Sequence, residues 1–170
     1  MNGLKVLHVG MDGLDVSFKG ALPEAALTML VAAKERAQDE QCDQLITLGK
    51  LQCYVARTGT SGGYAFRLDT GFDGEIWFIK KSTDLSQWNI RVSVRALPLA
   101  TMGYARVRDR IMKRLADMGA RVIEESISRV DMAVDFLAPR FEPDPQQIVA
   151  HWRCRRGSYG QGEARPAEIG

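Results

Sequence analysis

The sequence predicts an α+β domain in which an antiparallel sheet carries helices packed on one face. Three observations predict it. Two stretches carry apolar residues at helical spacing, several others alternate apolar and polar residues with period two, and the alternating stretches are joined by turns too short for parallel crossovers. At 170 residues with 45% hydrophobic side chains, the chain is long enough to build one core. The expected division is one domain over residues 1–156 and a linker or disordered tail over 157–170, where no apolar periodicity is left.

Leu4 to Lys19 reads as a long strand. Leu7, Val9 and Met11 form an apolar side and His8, Gly10 and Asp12 a polar one, but from Leu14 the apolar side passes to Leu14, Val16 and Phe18. Gly13 between them predicts a bulge or bend. Pro23 suits the first position of a helix whose apolar stripe is Ala26, Met29, Leu30, Ala33 and Ala37, ending near Gln41. From residue 44 to 96 the chain reads as consecutive strands. They are Gln44 to Arg57, Tyr64 to Leu68 after a glycine-rich hairpin turn at 59–63, Glu75 to Lys81, and Trp88 to Ala96. In the last of these Trp88, Ile90, Val92 and Val94 are expected in the core, and Asn89, Arg91, Ser93 and Arg95 on a basic side.

Thr101 to Gly119 follows as a helix with Tyr104, Val107, Ile111, Leu115 and Met118 as its stripe and Gly119 as its stop. Its outer surface is expected to present Arg106, Arg108, Arg110, Lys113 and Arg114. A further strand, Ile127 to Phe136, alternates Val130, Met132, Val134 and Phe136, expected to face a core, with Arg129, Asp131, Ala133 and Asp135. A third helix from about Pro145 to Arg155 closes the domain. This order contains an elaborated ferredoxin-like βαββαβ plan with extra strands inserted before the second helix.

Composition excludes several classes. No run of about 18 apolar residues could span a bilayer, and the first apolar run lacks the features of a signal peptide. The expected location is therefore the cytoplasm, with no membrane partner. Three cysteines, Cys42, Cys53 and Cys154, make neither a disulfide framework nor a zinc pair, and two histidines, His8 and His151, exclude a multi-histidine site. The net charge of +2 divides unevenly, with −2 over residues 1–87 and +5 over 88–160. A basic second half suggests a polyanionic partner.

Carboxylates are poor strand formers, so Asp131 and Asp135 on one strand stand out. Their backbones lie about 13 Å apart on an extended chain, too far to share one ion at a bond length of about 2.1 Å. If the first and last strands are neighbours, His8 and Asp12 come beside Arg129, Asp131 and Asp135. That set would be an oxygen-rich site for magnesium or manganese able to polarise a phosphodiester. The alternative is a solvated face on which Arg129 simply pairs with Asp131. The candidate DNA contacts are Arg91, Arg95, Arg106, Arg110 and Arg114.

Three stretches resemble the replication initiation factor family of plasmids and filamentous phages. They are His8-Val9-Gly10-Met11-Asp12-Gly13-Leu14, Val94 to Gly103, and above all Ile127 to Phe136 with its Arg-x-Asp-x-x-x-Asp strand. The resemblance runs to about Arg155. It implies a rolling-circle initiator whose tyrosine attacks a phosphodiester, forming a 5′-phosphotyrosyl link and freeing a 3′-hydroxyl, with a divalent metal assisting. Carried onto this chain, Asp131 and Asp135 match the acidic strand, Arg129 its arginine and Asp12 the early acidic position. The implied partners are origin DNA, single-stranded or hairpin, with a helicase and host replication proteins, in a bacterial or phage-encoded setting. The tyrosine motif expected after the acidic strand does not occur, and Tyr159 stands in linker-like sequence. The expectation is a DNA-binding domain supplying the acidic half of a nicking site, with the nucleophile beyond this chain. A non-catalytic DNA-binding module and a relaxase of a mobile element are the alternatives.

Overall fold

The computed structural model describes residues 5–137. The expected third helix, the 157–170 tail, His151, Cys154 and Tyr159 lie outside the described residues. The chain divides into two units, His8–Val134 and the chain ends Met1–Leu7 with Asp135–Gly170. The fold that positions the site is that of the first unit.

Seven strands form one sheet in the order β2-β3-β4-β5-β6-β1-β7. They are β1 (Lys5–Ala21), β2 (Gln44–Leu48), β3 (Leu51–Val55), β4 (Phe66–Asp69), β5 (Glu75–Ile79), β6 (Trp88–Val94) and β7 (Arg121–Leu137). Two helices, α1 (Glu24–Asp39) and α2 (Ala96–Asp117), complete it. The pairings of β2 with β3, β3 with β4, β4 with β5, β5 with β6 and β6 with β1 are all antiparallel. Beside β1, β7 runs the opposite way, since Lys19 meets Glu124 while Gly13 lies at Asp131.

Alternation builds the core. Val16, Val92, Trp77, Leu68 and Val55 are successive partners across five strands, and Phe18, Ile90, Ile79 and Phe66 form the next row. All are buried and join one cluster with Leu27, Leu30 and Ala33 of α1 and Val107, Ile111 and Leu115 of α2. Both helices therefore cover the same face of the sheet. The opposite face carries no helix among the described residues.

Several boundaries differ from expectation for local reasons. The stretch 44–57 is two strands, because Gly49 at φ +62° turns the chain between Leu48 and Leu51. A side chain there would run into the Asp117 carbonyl at the end of α2, so this hairpin tip needs glycine twice over. In α1, Leu27 is buried where Met29 was expected, and Met29 is exposed. Helix α2 begins five residues early, and Gly103 (φ 75°, ψ 164°) separates its first turns, which bury Pro98 and Leu99, from the predicted stripe. The bulge predicted near Gly13 accords with Met11 and Leu14, three apart, both reaching the core. A second irregularity between Phe18 and Lys19 sets Lys19 opposite Trp88. It leaves Trp88 half-exposed and buries Asn89, whose amide donates to the carbonyls of Gly20 and Asp84.

The largest correction concerns β7. Val130, Met132 and Val134 are not core residues but 43%, 66% and 53% exposed, and Phe136, in the other unit, is 42% exposed. The pairing of β1 with β6 ends at Leu14 and Val94. Ser128 meets Ser17 on the open face, and by alternation Val130, Met132 and Val134 share its side of β7, away from the helices.

Among the described residues no helix is long and apolar enough to cross a membrane. Cys53 is buried in the core while Cys42 is exposed, and burial pushes the Cys53 thiol up to about 12. Alkylation of the native protein at mildly alkaline pH is expected to modify Cys42 and spare Cys53 until denaturant is added, as read by peptide mass mapping. Because the unfolded thiol ionises near 9.0 and the folded one does not, stability falls as pH rises above that value, by about 1.4 kcal/mol per pH unit.

Candidate nucleic-acid interface

Of the predicted site residues, Arg91 and Arg95 fall on the open face of the sheet. Alternation with Leu14, Val16 and Phe18 turns Asp15, Ser17 and Lys19 to this side. Their neighbour β7 adds Ser128, whose hydroxyl lies 3.4 Å from that of Ser17, so Arg129 and Asp131 alternate to the other side of β7. Arg129 holds Asp131 as a fork, Nε to Oδ1 at 2.9 Å and Nη2 to Oδ2 at 2.6 Å. The hydrogen bond and charge of Asp131 raise the Arg129 guanidinium above its ordinary value, with a smaller push from Asp15. The pair lies over Gly13 of β1, where a Cβ would stand 2.7 Å from Oδ2 of Asp131. Glycine at that position leaves room for the carboxylate.

The remaining predicted acidic-site residues are less closely assembled. His8 is exposed and folds back over Gly10 of its own strand. Asp12 is exposed, and neither it nor His8 forms an ion pair among the described residues. Asp135 is exposed and belongs to the other unit. Among the described residues no three His, Cys, Asp or Glu side chains converge as a ready-made metal cage.

The five arginines expected at DNA separate into three settings. Arg91 lies on the open face between Ser17 and Phe78. Arg95, four residues on, reaches Asp69 at 3.0 Å, and Arg67 shares that carboxylate at 3.3 Å. Arg106 is exposed on α2, on the helical side of the sheet. The outward placement expected for Arg110 and Arg114 is corrected. Both border the Val107, Ile111 and Leu115 stripe, and at i, i+4 they turn together towards Glu75, a fully buried carboxylate on the core side of β5.

Glu75 was not foreseen as a centre of structure. Arg114 Nη1 donates to its Oε2, which also accepts from Trp77 Nε1 at 2.9 Å. Arg110 Nε stands 2.8 Å from Oε1, a charge contact without hydrogen-bond alignment. The second nitrogens of the two arginines brace the turn before β5, Arg110 Nη2 on the Asp73 carbonyl at 3.0 Å and Arg114 Nη2 on the Asp73 carboxylate at 2.5 Å. These two guanidiniums thus tie α2 to the sheet.

The sequence reading also missed an aromatic group on the open face. Tyr64 and Phe78 stand with ring centroids 6.0 Å apart, Arg91 lies 4.3 Å over Phe78, and Lys80 lies 5.3 Å over Tyr64. Lys19 covers Trp88 at 5.0 Å. Cross-strand adjacency joins these residues, and no spacing within one strand reveals it.

Fold and surface together define an α+β protein with a seven-stranded antiparallel sheet, helices on one face and a basic, aromatic open face on the other. The chain matches no family model, no curated protein and no solved structure.

Proposed function

We propose that this chain is the DNA-binding domain of a rolling-circle replication initiator, contributing an acidic site to tyrosine-dependent nicking of origin DNA. One observation carries the reading: the Arg129–Asp131 fork of β7, over Gly13 of the adjacent strand. A fork that fits a carboxylate also fits the paired oxygens of a phosphodiester. Arg129 is the phosphate-orienting group of the proposed site. Arg91, Arg95 and Arg106 supply further phosphate contacts, whereas Arg110 and Arg114 would have to leave Glu75 to do so.

The ferredoxin-like plan belongs to the same proposal. Strands β7, β1, β6 and β5 stand in the order in which a βαββαβ fold sets its fourth, first, third and second strands. On this reading β2, β3 and β4 are an insertion between α1 and β5.

Magnesium or manganese fits the proposal through Asp131. Such ions take one or two carboxylates with water and substrate phosphate rather than an all-protein cage. Bound there, the ion would polarise the phosphodiester. Asp12 and His8 remain proposed contributors.

Manganese titration, followed by its spin-resonance signal with a single-stranded oligonucleotide present, tests this reading. Binding is expected in the wild type and lost in Asp131→Ala, with an unchanged circular dichroism spectrum. Gly13→Ala is expected to weaken manganese binding at little cost in stability, because only the far end of the Asp131 side chain stands in the way of the new methyl group. Equal manganese binding by wild type and Asp131→Ala would overturn the metal assignment. A second reading, a DNA-binding module without catalysis, is favoured by the Arg129 fork occupying both Asp131 oxygens. It predicts DNA binding that is indifferent to manganese.

A further inference from the structure

We propose that Tyr64, Phe78, Arg91 and Lys80 form a stacking site for an unpaired base and its phosphate, so that the open face selects single-stranded over duplex DNA. The proposal rests on the DNA-binding reading above and goes beyond it by naming the strand state and the residues that sense it.

Charge bookkeeping on the open face singles out this cluster. Arg67 and Arg95 share Asp69, and Lys19 holds Glu124. Arg91 and Lys80 pair with no carboxylate among the described residues; Arg91 stands over both Phe78 and, at 5.1 Å, Tyr64, and Lys80 over Tyr64. Arg91 Nε is buried and has no hydrogen-bond partner. Two cations held over rings, without an acid to neutralise them, leave positive charge available to an anion.

The rings give that anion its identity. Tyr64 and Phe78 are each half-buried. Gly62 and Gly63 precede Tyr64, and a Cβ on Gly62 would touch its ring carbons at 3.6 Å. Glycine at this turn leaves that ring edge uncovered. A ring that can accept a planar partner beside unpaired cations suits a nucleotide, and a base shows its face only when it is out of a duplex. Along the same row Ser17 and Arg67 flank Arg91 and Phe78, giving the neighbouring sugar-phosphate a polar, cationic track.

Fluorescence anisotropy with a short oligothymidylate and a duplex of equal length tests the site. Tyr64→Leu is expected to weaken oligothymidylate binding by about 5-fold or more and to leave duplex binding and the salt slope unchanged. Tyr64→Phe should bind as the wild type does. Arg91→Gln should instead lower the slope of log affinity against log salt by about 0.7, one phosphate contact on a single strand. Unchanged oligothymidylate affinity in Tyr64→Leu, with the wild type binding well, would overturn the stacking site alone. Equal losses on single strand and duplex would overturn its selectivity. A wild type that binds neither would overturn the DNA-binding reading and this inference with it.

Discussion

Glu75→Ala is expected to destabilise the protein by about 3–5 kcal/mol, the range for removing one partner of a buried ion pair. The carboxylate is fully buried on the core side of β5, and its loss strands two guanidiniums that are only 21% and 15% exposed. Trp77 Nε1 would lose its acceptor as well. Because both arginines also hold Asp73, the turn between β4 and β5 should loosen together with α2. Urea unfolding followed by circular dichroism measures the loss. Replacing the whole group with apolar side chains, Glu75→Leu with Arg110→Met and Arg114→Met, should recover much of it, since the charges then leave together. A loss under about 1 kcal/mol for Glu75→Ala would mean that the arginines find water easily and that the cluster is not the tie described.

Trp77→Ala should cost a similar amount, about 3–5 kcal/mol. Trp77 is the largest fully buried side chain and stands in the middle of the row running from Val16 to Val55. Its removal opens a cavity under strands on both sides and orphans one lone pair of Glu75. Trp77→Phe separates the two effects, retaining most of the volume and losing the indole donor. In a double-mutant cycle with Glu75→Ala the losses should fall short of additive, because each single variant already breaks the Trp77–Glu75 bond. Full additivity would show that the bond contributes nothing beyond packing.

Much of the fold was legible because burial and periodicity coincide over residues 14–118. The stripe Val107, Ile111 and Leu115 and the alternation in Val92 and Val94 are enforced by one core, so each element could be read alone. The adjacency of β1 and β7 was also legible, from the order of elements. What failed did so where contacts outrank local pattern. In β7 the alternation is intact but no core lies beneath Val130, Met132 and Val134, so period two misreported burial. In α2 the arginines at i, i+4 looked like an exposed basic face, and a single distant carboxylate, Glu75, turned two of them inward. Of the candidate site, the Arg129–Asp131 pair was legible from its spacing on one strand. The cluster of Tyr64, Phe78, Arg91 and Lys80 was not, because its members come from the β3–β4 turn, the β5 strand and its end, and β6 and meet only across the sheet.

The most direct test of the proposed role is the affinity of the full chain for a short single-stranded oligonucleotide, measured by fluorescence anisotropy across a series of salt concentrations. Binding at low salt that weakens linearly in log affinity against log salt, with a slope of several phosphate contacts at about 0.7 each, is the predicted result. No binding at low salt, or an affinity that does not change with salt, would contradict the assignment of the open face to nucleic acid.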